Sequence, residues 1–295
     1  MKLLNPMPPY TLFGVDNPEY SEARIAVLPV PYDSTTSYKA GARDGPHAII
    51  DASRNMELYS EELGTNISSI GIYTLDELMP NINSAEEMVR SISAEVSNIL
   101  ESGKVPLTLG GEHTVAVGPI SAMGKTRKDF TVLHFDAHSD SRDTYMGSKY
   151  SHACIMSRAR EITGSGYSVG VRSTDEDGAK RYSGDILFRR DMRNMERREI
   201  VENILEHTRE KIYITIDVDV LDPGEMPSTG TPEPDGLSFH ELTSILKGVL
   251  ARRELLGLDF TELSPIGGIV APNFLVAKLA YMTLGYAFCM PKETK

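Results

Sequence analysis

Residues 131–140, reading Thr-Val-Leu-His-Phe-Asp-Ala-His-Ser-Asp, constrain this chain more than any other stretch. Val132, Leu133 and Phe135 suit a buried strand, and the run ends in Asp136, His138 and Asp140 on alternate residues. Successive side chains of an extended backbone alternate faces, so these three point the same way from the strand's end. Residues 211–219 repeat the design: Ile212, Tyr213, Ile214 and Ile216 build a strand, and Asp217 and Asp219 project together beyond it. A single Asp in such a place would cap the next helix. Acids and imidazole gathered from two strands instead concentrate charge at high cost unless cations compensate it, and the donor set suits a pair of divalent ions.

Further apolar runs at 23–31, 70–75, 105–109, 167–171, 185–188 and 255–260 read as strands. Between them lie helical patterns. The clearest is 83–102, where Met88, Val89, Ile92, Val96, Ile99 and Leu100 share one stripe and Gly103 supplies the stop. Others are expected at 114–123, 193–209, 239–250 and 271–289, with a short helix opened by Pro46 and another, capped by Ser151, running to Arg160. Polar loops precede Gly45 and follow Asp140, and the Pro- and Gly-rich stretch 221–236 disfavours regular structure. Strands alternating with helices predict an α/β fold with a parallel or mostly parallel sheet covered on both faces. Residues 1–295 are expected to form one domain, with 1–20 an irregular start. In such sheets ligands bind at the carboxyl edge, where the polar clusters fall.

The 295 residues suffice for a substantial core. Against 30 Lys and Arg stand 42 Asp and Glu, a formal charge of -12, which argues against a nucleic-acid or anionic-membrane surface and is compatible with a cationic ligand. Cys154 and Cys289 form neither a zinc-ligand pair nor a redox motif, and no stretch reads as a secretory signal or membrane span. A cytoplasmic protein is expected.

His113, following Gly110-Gly111 at the end of a third strand, is a candidate ligand from a third direction. His134 lies deeper in its strand and reads as core or as support behind the ligands. His47, His207 and His240 have loop or helix-surface contexts, and Cys154 reads as a small buried residue. His152 follows the polar loop that leaves Asp140, so it either returns to the site's mouth or caps a helix in solvent. Glu262 ends a strand, either facing a cation or capping a turn.

Gly110-Gly111-Glu112-His113, Asp136-Ala137-His138-Ser139-Asp140 and Asp217-Val218-Asp219-Val220-Leu221-Asp222-Pro223, in that order, resemble the motifs of the ureohydrolase family of arginases and agmatinases. The resemblance extends from Gly41-Ala42-Arg43-Asp44-Gly45-Pro46 through Thr229-Gly230-Thr231-Pro232 to Glu262. It implies a three-layer α/β/α fold around a mostly parallel sheet of about eight strands, two Mn²⁺ per subunit, and a trimer or hexamer. Carried onto matching positions, one metal would take His113, Asp136, Asp140 and Asp217, and the other Asp136, His138, Asp217 and Asp219. The same likeness gives Asp140, Glu262 and His152 catalytic roles: proton transfer to the departing amine, orientation of the guanidinium, and proton relay to solvent.

The implied reaction releases urea from a small cationic guanidino substrate. Arginase-like chains carry Ser-Gly-Asn before the loop histidine and an acid after the Gly-x-Arg strand. Here the loop reads Gly147-Ser148-Lys149-Tyr150-Ser151-His152, and Ser173 follows Arg172. Tyr150-Ser151-His152 is similar to agmatinases, implying agmatine cleaved to putrescine and urea in polyamine biosynthesis. Ala153-Cys154 stands where agmatinases commonly have Gly-Thr, which keeps aminopropylagmatine, guanidinobutyrate and arginine as alternatives. Readings of other kinds are a deacetylase-like amidase and a non-catalytic metal-binding protein.

Overall fold

All eight apolar runs become strands of one parallel sheet in the computed structural model, which describes residues 7–291. They are β1 (Ile25–Val30), β2 (Ile72–Thr74), β3 (Val105–Gly110), β4 (Phe130–Phe135), β5 (Gly166–Val171), β6 (Ile186–Phe188), β7 (Lys211–Asp217) and β8 (Glu254–Thr261). Their order is β2-β1-β3-β8-β7-β4-β5-β6, with every neighbouring pair parallel. A parallel sheet needs cover on both faces, and β1, β4 and β5 are accordingly buried at every position. Along β1, Ile25 and Val27 join one core cluster while Ala26, Leu28 and Val30 join another.

The first cluster lies beneath helices Gly45–Ser53, Arg197–His207, Phe239–Leu250 and Ala271–Phe288. Helices Ala85–Glu101, Val117–Thr126 and Ile155–Thr163 cover the opposite face, which gives three layers. Local signals fix their ends. Ser84 accepts a hydrogen bond from the Glu87 amide, Ser238 and Glu241 form a reciprocal cap, and Gly103 takes the left-handed conformation (φ 73°) past the end of the helix begun at Ala85.

Two local expectations need correction. The helix expected over 193–209 is confined to Arg197–His207, because Glu196 and Glu199 cap each other's backbone and set its start, and a separate short helix, Arg189–Met192, precedes it. Ser151 makes no side-chain cap bond, and the α-helix after it begins only at Ile155. Among the described residues the irregular start has only short 3-10 turns, and it is packed: Leu12 and Phe13 are buried, with Phe13 edge-on to Tyr281 at 4.8 Å between ring centroids. Residues 1–6 of the irregular segment lie outside the described residues. A short antiparallel ladder of Tyr59–Ser60 with Thr65–Asn66 had no sequence signal strong enough to predict it.

The sheet's register levels the four central strand ends. Phe135 pairs with Ile216, Thr261 with Asp217, and Leu109 with Phe260. The chain leaving β3 then turns against the end of β1: the Gly111 amide donates to the Val30 carbonyl at 3.0 Å and the Glu112 amide to the Tyr32 carbonyl at 2.8 Å. A Cβ at Gly111 would lie 2.0 Å from the Tyr32 carbonyl oxygen, a backbone atom that cannot step aside. Gly111→Ala should therefore destabilise the protein by about 2 kcal/mol or more, at the upper part of the range for overpacking. Equal melting temperatures for the variant and the parent in thermal scans would refute this.

Candidate metal centre and cleft

The polar residues past the four level strand ends meet at one point. β4 delivers Asp136 and, in the following turn, His138 and Asp140; β7 delivers Asp217 and then Asp219; the turn after β3 delivers His113. His113 Nδ1 lies 3.2 Å from Asp136 Oδ2, 3.3 Å from Asp140 Oδ2 and 3.4 Å from Asp217 Oδ2. His138 Nδ1 lies 2.9 Å from Asp219 Oδ2 and 3.5 Å from Asp136 Oδ1. Asp136 thus sits between two groups of donors, one around His113 and one formed with His138 and Asp219. All six residues named from the sequence as metal candidates are brought together.

Whether a cation fits can be judged from hydrogen positions. Thr215 Oγ1 donates to Asp259 Oδ1 at 2.7 Å, so it can only accept from His113 Nε2, 2.8 Å away. That places the imidazole hydrogen on Nε2 and leaves the Nδ1 lone pair facing the carboxylates. Nδ1 is buried and has no hydrogen-bond partner. A lone pair and carboxylate oxygens directed at one point fit a cation. His134 is near enough to join them, but Nε2 contacts Asp136 Oδ2 at 2.8 Å and Nδ1 contacts Ser168 Oγ at 3.0 Å. It supports Asp136 from behind, as its depth in the strand suggested.

The electrostatics show the same need. Burial, then Asp219 and Asp136, push the Asp217 carboxyl well above the usual carboxylate range, and burial and Asp136 raise Asp219. Burial also works against ionised Asp136, but His134, His113 and His138 outweigh it and hold the group well below that range. Burial opposes charging of His113 and His138, yet the surrounding aspartates raise both. Without metal, protons supply the positive charge that this cluster requires.

A cleft of about 240 Å³ opens above the cluster, with Asp140, His152, Asp217 and Glu262 among its walls. His152 is at the mouth, its Nε2 3.2 Å from Ser37 Oγ, which decides between the two settings left open for it. Glu262 faces the cleft, and its Oε1 accepts the His113 amide at 2.7 Å. Burial and the neighbouring Glu112 push its carboxyl up to about 8. Asp140 and Glu262 both have left-handed backbones, with φ of 42° and 65°, a strain often found at functional sites.

Several residues here escaped the sequence. Glu112 is fully buried, and burial pushes its carboxyl up to about 7 despite hydrogen bonds from Thr35. Asp259 is pushed up to about 6 by burial and reaches the centre only through Thr215. Both looked like ordinary motif or strand residues. Asp175 also lines the cleft, three residues past Arg172, so the comparison at Ser173 stopped two residues short of the acid. Its side chain accepts the Gly178 amide at 2.9 Å and approaches Arg142 Nε at 3.8 Å.

A parallel α/β/α sheet with paired His and Asp clusters on its central carboxyl edge defines an enzyme class built to hold two cations beside a substrate cleft. The Arginase family model matches residues 23–285, and the chain belongs to the arginase family. It is 38% identical over 276 residues to the N(1)-aminopropylagmatine ureohydrolase of Thermus thermophilus, covering 93% of this chain and 94% of the relative. It is 31% identical over 267 residues to the agmatinase of Bacillus anthracis, covering 86% and 88%. The crystal structure of the agmatine ureohydrolase of Thermoplasma volcanium superposes with a TM-score of 0.86 at 29% identity, covering 95% of each chain. The chain is therefore a ureohydrolase, a hydrolase acting on guanidino compounds, in a family that depends on a binuclear metal centre. The amidase and non-catalytic readings give way to that finding. Among the described residues no helix is long and apolar enough to cross a membrane.

The raised groups make stability depend on pH in a definite direction. Glu112, Glu262 and Asp259, at about 7, 8 and 6, hold protons in the folded state that an unfolded carboxyl releases at lower pH. Their stabilising contribution is complete below the unfolded carboxyl values and lost as pH rises through the folded ones. Raised His113 and His138 act in the same sense above the unfolded histidine value of 6.5. Lowered Asp136 has the opposite sign, but its contribution is already complete above the ordinary aspartate value. Metal-free protein should melt at a lower temperature at pH 8 than at pH 5.5. Added Mn²⁺ should raise the melting temperature more at pH 8, because imidazoles that bind a cation must first lose their protons. Thermal scans with and without Mn²⁺ test both trends, and a larger metal effect at pH 5.5 would contradict the second.

Proposed function

We propose that this ureohydrolase cleaves agmatine-type guanidino amines, releasing urea and a polyamine, with two Mn²⁺ bound. The observation that carries the choice of substrate is the cleft's outer wall, where Arg142 sits 5.2 Å over the Tyr145 ring and 3.8 Å from Asp175. The chain's own guanidinium marks a place where an aromatic face and a carboxylate receive a cation. A substrate with positive charge at both ends suits a cleft with Glu262 at one end and Asp175 on the outer wall. Agmatine meets that requirement. Its aminopropyl extension is a second reading, favoured by the 38% identity to a relative named for that substrate against 31% to an agmatinase.

His113, Asp136, Asp140 and Asp217 would hold one ion, and Asp136, His138, Asp217 and Asp219 the other. Four carboxylates and two imidazoles, without thiolate, are a hard donor set suited to Mn²⁺. When bound, the pair supplies a water ionised near neutral pH as the nucleophile. Glu262 accepts guanidinium N–H groups and fixes the carbon beneath the cleft. Asp140 takes the proton that the added water oxygen gives up and delivers it to the departing amine nitrogen. His152, at the mouth, exchanges protons with solvent through Nε2. Asp175 binds the distal ammonium and sets the substrate's reach.

Urea release by Mn²⁺-loaded protein, measured side by side with agmatine, aminopropylagmatine, guanidinobutyrate and arginine, should favour one of the two amines. A preference for either of the acids would overturn the substrate assignment. Asp136→Ala or Asp217→Ala should lose both metals by elemental analysis, and His152→Ala should keep them while turning over about a hundredfold more slowly. Asp175→Asn keeps an acceptor for the Gly178 amide but loses the charge. It should raise KM for the preferred amine about tenfold, as expected for a charge-assisted contact. An unchanged KM would remove Asp175 from the substrate site.

A further inference from the structure

One buried carboxylate has no place in the chemistry described so far. Glu112 is fully buried beside the metal cluster, yet neither of its oxygens is directed at the other aspartates. Both grip Thr35, in the loop after β1: Oε2 accepts the Thr35 amide at 2.6 Å and Oε1 accepts the Thr35 hydroxyl at 2.8 Å. With Glu112 ionised, the single hydroxyl hydrogen of Thr35 is used by that bond. Toward every other neighbour Thr35 Oγ1 is an acceptor. It takes the His152 amide at 3.1 Å, lies 3.1 Å from Thr114 Oγ1, and faces His152 Nδ1 at 3.4 Å.

We infer that Thr35, locked by Glu112, is a positioning residue that fixes the tautomer of His152, with hydrogen on Nδ1 and a free lone pair on Nε2. A bare Nδ1 would set its lone pair against those of Thr35 Oγ1, whereas Nδ1–H points a donor at it. Ser151 Oγ also lies 3.4 Å from Nδ1 and can accept as readily as donate, so it does not oppose this assignment. On the far side of the ring, Nε2 is 3.2 Å from Ser37 Oγ, a hydroxyl able to donate to it. The ring is further confined by Tyr145, edge-on at 5.8 Å between centroids. One loop therefore reaches both nitrogens of the same imidazole, and its anchor is the residue immediately before His113. The basic nitrogen is thereby the one that faces the cleft, where a proton must be exchanged.

The inference rests on the proposed relay role of His152, but the tautomer can be measured without reference to turnover. In protein labelled with ¹⁵N-histidine and loaded with diamagnetic Zn²⁺, the His152 signals, assigned by their loss in His152→Gln, should show a protonated Nδ1 and an unprotonated Nε2 in the neutral ring. In Thr35→Val, which keeps the shape and removes the hydroxyl, the signals should move toward the other tautomer. With Mn²⁺, kcat of that variant should fall about tenfold while KM stays within about twofold, and the limb of the pH profile assigned to His152 should shift. Thr35→Ser, which restores the hydroxyl, should recover tautomer, kcat and profile together. Hydrogen on Nε2 in the parent protein overturns the inference without any variant being made. So does a Thr35→Val protein with unchanged tautomer and kcat. Normal turnover in His152→Ala would instead defeat the relay role, leaving the tautomer measurement to stand or fall on its own.

Discussion

The architecture is governed by the cost of collecting carboxylates in a place that water hardly reaches. Asp136, Asp140, Asp217 and Asp219 are all buried at the ends of adjacent strands. Parallel pairing creates this edge, because every strand ends on the same side and the next helix begins there. Apolar strands drive the burial, and the burial raises the price of each charge at their ends. Histidines at 113, 134 and 138 offset part of it, each within 3.5 Å of Asp136. Their protons cannot satisfy the site in its working form, since a protonated imidazole is no longer a ligand. Thus the same groups that stabilise the metal-free fold must give way when cations enter.

Much of this was legible in the sequence because the pattern that forms the fold also locates the site. Each of the eight strands was marked by an apolar run, and alternation along an extended chain explains why Asp136 and His138, or Asp217 and Asp219, act together. Spacing says nothing about registry between strands, so that β3, β8, β7 and β4 lie side by side had to come from the structure. It also says little about loops. His152 could not be assigned between mouth and solvent from its neighbours, because its placement depends on Thr35 and Ser37, more than a hundred residues earlier. Asp259 was hidden for another reason: on a central strand it resembles any core position, and its importance lies in the hydrogen it receives from Thr215.

The division of labour between strands and loops follows from these distances. Five of the six metal candidates lie at or within five residues of the ends of β4 and β7, and His113 lies three residues beyond β3. Short tethers of this kind hold a donor set to the tolerance that metal coordination demands. Much of the cleft wall comes from longer excursions after β1 and β4, where Ser37 and His152 are found, and Asp175 joins it from the turn after β5. Such segments can change substrate reach while leaving the metal positions untouched. Asp140 and Glu262 stand at the boundary. Both are in the left-handed region, and each has its backbone tied: the Asp140 carbonyl accepts the Met156 amide at 2.9 Å, and the Glu262 amide donates to the Gly111 carbonyl at 2.8 Å.

Fixing atoms is not enough for proton chemistry, because an imidazole in the right place with its hydrogen on the wrong nitrogen is inert. The chain meets this requirement at His113 by passing the problem to a neighbour. Asp259 takes the Thr215 hydrogen, which makes Thr215 an acceptor and sends the His113 hydrogen to Nε2. Glu112, Thr35 and His152 repeat the arrangement of carboxylate, threonine and imidazole, now at the cleft mouth. In each case the carboxylate lies fully buried, where a hydrogen bond is electrostatically stronger than in water and an unpaired acceptor is costly. Burial that would be a liability for a lone acid thereby becomes the means of orienting a hydroxyl, and through it a ring. The acids around the centre consequently divide by what faces them: those opposite imidazole lone pairs are the candidates for a cation site, and those opposite threonine hydroxyls govern which lone pairs are available.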